Sequence, residues 1–422
     1  MRRKRCGTPP RPASAIPPPA RDANRRQIAS CSREGRFGLD TRHGDQDMRT
    51  RTAGWMTWLG VAIALGALRP AVAANGVVGP GNCNESGFDS VLAAVDGSGG
   101  GTITFNCGTV TLPVTHYKQI AHTVVIDGGG TVTLDGGNAS PLLQVYASAR
   151  VTLRRISLQH GINGAAHAIE NFGILVLDQA RVLDNVSNAP ALMNYGTLVV
   201  RASTLSGNHN SNDGGDGGAI DHQGAFLRID RSTFSGNSAV GNGGAIHASA
   251  DMTITNSTFS GNTASGGGAI YQAGSGVATI VHATIAGNSA GYGAGIYRDG
   301  NGSGTLTIAR SLLAGNSTGN CDGVLTSGGY NLSSDNHCGG AFTAPGDLNG
   351  QVLAMGTLAN NGGPTQTLLP LAGNPAINHV PAAACSLPVD QRGGGRPFAA
   401  GCDSGAVETG AVLDLIFYDG LE

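Results

Sequence analysis

The phrase STFSGNSAVGNGGAIHAS at residues 232–249 returns, little changed, as STFSGNTASGGGAIYQAG at residues 257–274. Near-copies offset by 25 residues mean that the chain is assembled from stacked repeats of one structural unit. Three apolar ladders carry the period further. The first is Ile126, Leu153, Leu177, Val200, Ile229, Ile254, Ile280 and Ile308, in steps of 23 to 29 residues. Five residues beyond each rung, from Leu153 onward, comes a second apolar residue: Leu158, Val182, Leu205, Phe234, Phe259, Ile285 and Leu313. Three further on stands asparagine, at Asn185, Asn208, Asn237, Asn262, Asn288 and Asn316, with Gly161 in the earliest rung. A third ladder, Ile169, Leu192, Ile220, Ile246, Ile270 and Ile296, follows a loop of variable length.

Within a rung the residues alternate, as in Met252-Thr253-Ile254-Thr255, the pattern of a strand with one face buried. One rung cannot bury that face alone. Three strands per turn of ~25 residues, each turn ~4.8 Å above the last, make a parallel β-solenoid in which like stacks on like. The six asparagines then stack at one corner and hydrogen-bond along the axis, pairing turn backbone groups that would otherwise be buried alone. Composition agrees. The 68 Gly in 422 residues and 13% charged residues argue against a helical protein, since each interior Gly costs a helix about 1 kcal/mol. A disordered Gly/Ser chain would share the glycine content but not the regular apolar recurrence.

The fold class expected is all-β: a right-handed parallel β-helix with an N-terminal helical cap and a small irregular disulfide-linked C-terminal region. A solenoid needs covered ends. NESGFDSVLAAVD (84–96) places Phe88, Val91, Leu92 and Val95 on one helical face and suits that task. Rungs are expected from near Thr102 to near Leu332. The organisation read is a cap over 74–101, a β-helix over 102–340, a C-terminal region over 341–410 and a tail over 411–422. Residues 48–73 join Arg49 and Arg51, an apolar run from Trp55 to Leu68, and Ala71-Val72-Ala73. This is the layout of a secretory signal peptide, with an uncleaved anchor as the alternative. Residues 1–47 are Arg- and Pro-rich without hydrophobic period, and read as an upstream segment preceding a true start at Met48.

The first 51 residues hold 13 of the 26 Lys and Arg. From Ala74 onward 12 Lys and Arg face 23 Asp and Glu, a balance of −11. An acidic chain makes nucleic acid a poor partner and anionic membranes unattractive. Six cysteines remain in that part, an even number that in an exported chain reads as disulfides. Six allow fifteen connectivities; clustering favours Cys83–Cys107, Cys321–Cys338 and Cys385–Cys402. No C-x-x-C occurs, and no His stands at ligand spacing from them, so zinc is disfavoured.

The GGAI runs (217–220, 243–246, 267–270) and the F-x-x-N pairs (Phe234–Asn237, Phe259–Asn262) resemble the repeats of the polymorphic outer membrane protein family. The resemblance implies a surface-exposed, adhesin-like bacterial β-solenoid. LANNGGPTQTLLPLAGNPAIN (358–378), CSLPVDQRGGGRP (385–397) and CDSGAVE (402–408) resemble the bacterial choice-of-anchor Q domain, which follows a parallel β-helix and precedes a surface-anchoring signal. Two features of those families are not seen: an outer-membrane barrel after residue 410, and an LPXTG signal.

The residue after each inward Ile of the third ladder points outward. This gives a stripe of Glu170, Met193, Asp221, His247, Tyr271 and Tyr297, flanked by His222 and Arg298. Rings that stack on sugar faces, beside polar groups for hydroxyls, fit a glycan-binding surface. Asp221, His247, Tyr271, Tyr297 and Arg298 are therefore the candidate ligand-binding residues, and a carbohydrate or cell-surface ligand is the expected partner of a monomeric protein. The competing reading is a row of tolerated solvent-facing side chains.

Catalysis is the runner-up. Glu170 and Asp221 meet only loosely the spacing of a glycosidase pair, and the paired Asp-Asp, Gly-His-Gly and Arg-Ile-Lys motifs associated with pectin-cleaving β-helices are missing. Asp213 and Asp216, amid glycines in the loop after Asn208, could hold Ca²⁺; a solvated loop is the plainer account, and no metal is expected. Asp390-Gln391-Arg392 reads as ion pairing that knits the tail. No phosphate loop, G-x-S-x-G elbow or H-E-x-x-H occurs, and no cofactor is expected. A spacer that projects another module is the third class.

Overall fold

The computed structural model describes residues 73–413, apart from 162, 163 and 165. The proposed upstream segment, the signal peptide except Ala73, and the last nine residues lie outside the described residues.

The chain coils through three parallel sheets. In the first sheet, Ile126, Leu153, Leu177, Val200, Ile229, Ile254, Ile280 and Ile308 pair in one unbroken register. In the second, Leu158, Val182, Leu205, Phe234, Phe259, Ile285 and Leu313 do the same. The third sheet has nine strands and stacks Ile169, Leu192, Ile220, Ile246, Ile270 and Ile296. Every one of these residues is fully buried, so the three ladders are the core. The rings of Phe234 and Phe259 stack at 4.9 Å, tilted by only 9°. The early strands Thr123–Ser140 and Arg150–Gly161 run round a corner and join the first two sheets into one hydrogen-bonded unit.

Each residue of the repeated phrase has its own place in the turn. In R-S-T-F-S-G-N, Arg231 takes a left-handed conformation (φ 49°) to turn the corner. The Ser232 hydroxyl accepts the Ser203 N–H above it, while Ser257 serves Ser232 in turn. Phe234 points into the core and Thr233 and Ser235 point away. Gly236 has φ 62°, a backbone conformation that glycine adopts without steric cost. Asn237 then turns inward.

The asparagine side chains form one chain of hydrogen bonds. Each Nδ2 donates to the Oδ1 of the next, over Asn185, Asn208, Asn237, Asn262, Asn288 and Asn316, at 2.8–3.0 Å. The same oxygens accept backbone N–H groups of the preceding turn. Asn320, which no period announces, accepts from Asn316 at 2.7 Å and ends the ladder.

The helix Glu85–Gly97 begins at Asn84, whose Oδ1 caps the Gly87 N–H at 2.9 Å, and buries Phe88, Leu92 and Val95. It packs on a strand that the sequence did not announce, Gly76–Val78, paired with Gly100–Phe105. A Cβ at Gly76 would lie 2.4 Å from Val91 Cγ1, so glycine there sets the close approach. Buried Lys118 holds the helix to the third sheet through Glu85 (2.6 Å) and Asp89 (2.7 Å). The three expected disulfides form: Cys83–Cys107, Cys321–Cys338 and Cys385–Cys402.

The C-terminal region lies along the outer face of the second sheet. Gln391 is wholly buried there. Its Oε1 accepts from Thr258 Oγ1 at 2.6 Å, and its Nε2 donates to Thr233 Oγ1 at 2.9 Å. Ala406 N–H donates to Thr284 Oγ1 at 2.9 Å. The outward Thr file of the repeat is thus a docking rail for the tail. Asp390 and Arg392 pair at 2.9 Å, and fully buried Arg396 and Glu408 at 2.8 Å.

Candidate functional site

On the third sheet the residue after each ladder Ile points away from the core, and the registers stack Glu170, Met193, Asp221, His247, Tyr271, Tyr297 and Asp322 in one file, of which Met193 and Asp221 are nevertheless buried. Asp221 accepts from His247 Nδ1 at 2.8 Å, and Gln223 Nε2 donates to its other oxygen at 2.8 Å. Beyond the imidazole the rings continue: His247 to Tyr271 at 5.5 Å and Tyr271 to Tyr297 at 4.9 Å between centroids. Tyr292 closes the end edge-on to Tyr297 at 4.7 Å, and its hydroxyl reaches Asn242 Oδ1 at 3.0 Å. Its ring passes over Gly266, where a Cβ would meet it at 2.3 Å; only glycine leaves that space.

The electrostatics of the file are acidic. Burial pulls His247 down, but the hydrogen bond to Asp221 and the charges of Asp221 and Asp216 outweigh it, and its pKa lies above the ordinary value. Asp216 stands 3.8 Å from His247 Nε2. Burial, then the charges of Asp299, the neighbouring tyrosines and Asp216, push the Tyr271 phenol up to about 12. Further along, burial and the adjacent Glu170 raise the Tyr117 phenol.

Arg298 requires a correction, and His222 with it. Both stand two residues beyond the ladder Ile, so the period of two returns them to the inside. Arg298 is 2% exposed and His222 fully buried. They belong to an inward file that pins the corner between the third and first sheets. Asn194 Nδ2 donates to the Gly196 carbonyl at 3.1 Å. His222 Nδ1 accepts from Asn194 at 2.8 Å, so Nε2 carries the proton and faces the Asp251 carbonyl at 3.0 Å. Burial lowers its pKa and keeps the ring neutral. Gln272 donates to Gly276 at 3.4 Å, and Arg298 Nη2 to Gly304 at 2.7 Å. The loops pinned lengthen in the same order, so the longest side chain serves the longest loop, 299–304. Arg298 holds the fold rather than a ligand.

A second aromatic file, not among the predicted residues, lies beside the first. Tyr146, Phe172 and Tyr195 follow the ends of three successive strands and are 38%, 40% and 44% exposed. Phe172 and Tyr195 stack at 5.2 Å with 12° between planes. They stand three residues past Leu143, Ile169 and Leu192, a spacing that an extension of the outward count would have found.

The loop acids do not form a shared metal site. Asp216 Oδ1 accepts the Asn242 N–H at 2.7 Å, and Asp213 is exposed. Among the described residues Glu85, Asp89 and His116 do converge, but the Lys118 ammonium already sits between the two carboxylates.

Residues 231–249 and 256–273 match the family model of the Chlamydia polymorphic membrane protein repeat. No curated protein matches the chain, and no solved structure does. The matched residues are two turns of the solenoid, so what the match covers is the repeat itself. Together, the repeat match and the parallel β-solenoid indicate a surface-exposed bacterial protein.

Proposed function

We propose that this protein is exported to the bacterial surface or secreted, and binds a carbohydrate or other cell-surface ligand through the outward file of the third sheet. The observation that carries the reading is the row of His247, Tyr271 and Tyr297, stacked at one-strand spacing on a face that the C-terminal region does not cover. A tyrosine on a solenoid surface needs no neighbour. Three rings in register, edged by Asp216 and Tyr292, with buried Asp221 orienting His247, make a platform on which a sugar chain can lie along the axis while Asp216 accepts from its hydroxyls. The resemblance of the tail to the choice-of-anchor Q domain supports surface display.

A second reading draws on Glu170 and Asp221, two strand spacings or ~10 Å apart on the file, near the separation of an inverting glycosidase pair. One experiment separates the two. Wild type and the double variant Tyr271→Ala/Tyr297→Ala are assayed for retention on a panel of insoluble polysaccharides, with reducing-end and unsaturated-end release measured on the same samples. Binding by the wild type, lost in the variant without release of ends, supports a binding protein. Turnover that Glu170→Gln abolishes supports the hydrolase.

A further inference from the structure

The aromatic rows on the third sheet come in two pieces, and each has carboxylates at its side. Phe172 and Tyr195 lie on the file two residues beyond Glu170, Met193 and Asp221. The two files are parallel and ~7 Å apart. Past Gln223 the chemistry changes sides: the rings stand on the inner file as Tyr271 and Tyr297, and the carboxylate beside them, Asp299, stands on the outer one. The pairing is felt electrostatically. Burial, then the charges of Asp221 and Glu170, raise the Tyr195 phenol, as Asp299 and Asp216 do for Tyr271. No lysine or arginine stands on either file, because Arg298 is turned inward.

We propose that Tyr146, Phe172 and Tyr195, with Glu170 beside them and the charge of buried Asp221 behind, form a second subsite, and that the two subsites together take an extended glycan bearing free amino groups. The inference rests on the carbohydrate reading above. Ring faces accept the apolar faces of pyranoses, and a ring with an anion beside it is the arrangement that favours an ammonium over a neutral amide or a carboxylate. From Tyr146 to Tyr297 is six strand spacings, ~29 Å along the axis, so the ligand is a chain of several sugars rather than one. A uronate polymer is not the preferred ligand, since the acidic files would repel it and the cation-forming His247 is already paired with Asp221.

The test uses the full chain and three soluble probes of equal length: a fully deacetylated chito-oligosaccharide, its N-acetylated counterpart and an oligogalacturonate. Calorimetric titration is expected to rank them in that order, the amine-bearing probe binding roughly tenfold tighter than the N-acetylated one and losing the advantage as ionic strength rises. Glu170→Gln and Asp299→Asn should narrow that preference while leaving the N-acetylated probe unaffected. Phe172→Ala/Tyr195→Ala should weaken both probes, and Phe172→Tyr should not; melting curves verify that each variant is folded. Equal binding of the two chito-oligosaccharides, or preference for the galacturonate, overturns the amine reading and leaves the carbohydrate reading standing. Full binding by the folded Phe172→Ala/Tyr195→Ala variant overturns the second subsite. Binding of none of the probes, with no polysaccharide retained in the panel above, overturns both readings.

Discussion

Removing one amide from the asparagine ladder should cost more than removing a methylene-sized piece of the core. Asn262 is fully buried. Its Nδ2 donates to the Phe234 carbonyl at 3.0 Å and to Asn288 Oδ1 at 2.9 Å. Its Oδ1 accepts from Asn237 N and Nδ2, both at 3.0 Å. Asn262→Ala deletes all four bonds, leaves the buried Asn237 N–H without its partner and reduces Asn237 Nδ2 to its bond with the Leu205 carbonyl. At about 1 kcal/mol for each lost bond, and more where a buried group stays unsatisfied, the expected loss is ~4–6 kcal/mol. Asn262→Asp keeps the shape but replaces a donor by an oxygen facing two acceptors. Burial raises such a carboxyl, so destabilisation should grow as pH climbs above about 3.9 and level off where the native carboxyl itself ionises. Solenoids open locally as well as globally, so urea unfolding should be joined by hydrogen exchange across 234–237 and 259–262. A folded Asn262→Ala protein within 1 kcal/mol of wild type, with unchanged exchange there, would refute the idea that the ladder carries turn stability.

Three further outcomes follow. Ile254→Asp puts an unpaired charge in the core and should cost several kcal/mol, whereas Thr253→Asp, facing outward, should be nearly silent in a melting experiment. Arg298→Ala should lose about 1.5–3 kcal/mol and expose the amides of 299–304 to exchange; Arg298→Lys should not restore them, and ligand binding should fall only as far as the loop moves. In an NMR titration His247 should ionise above about 6.5, and Asp221→Asn should bring it below, because burial then prevails. The stability that this pair contributes is present in full below about 6.5 and is lost as pH rises through the raised pKa.

The core was legible because a solenoid writes its contacts into sequence spacing. Ile254 sits between Ile229 and Ile280 in space as it does in the repeat, and the same holds for each rung. The ladder of asparagines was readable for that reason, and the disulfide partners because the cysteines cluster in pairs along the chain. What stayed hidden depends on features without period. The Gly76–Val78 strand is three residues long and is defined by what covers it. The docking of Gln391 on Thr233 and Thr258 joins residues more than 130 apart, with no pattern in either segment to announce it. Arg298 is a simpler case: its charge suggests exposure, while the strand's alternation turns the side chain inward.

The functional claim reduces to which rings a bound sugar chain covers. Hydroxyl-radical footprinting, read residue by residue with mass spectrometry in the presence and absence of the bound polysaccharide, measures this directly. Protection is expected at Tyr271, Tyr297 and Tyr292, and with an amine-bearing chain also at Phe172 and Tyr195. Phe226 and Phe398, 37% and 41% exposed but outside both files, should be oxidised at the same rate in both samples. Protection of Phe226 or Phe398 with the tyrosines of the third sheet left unchanged would contradict the account.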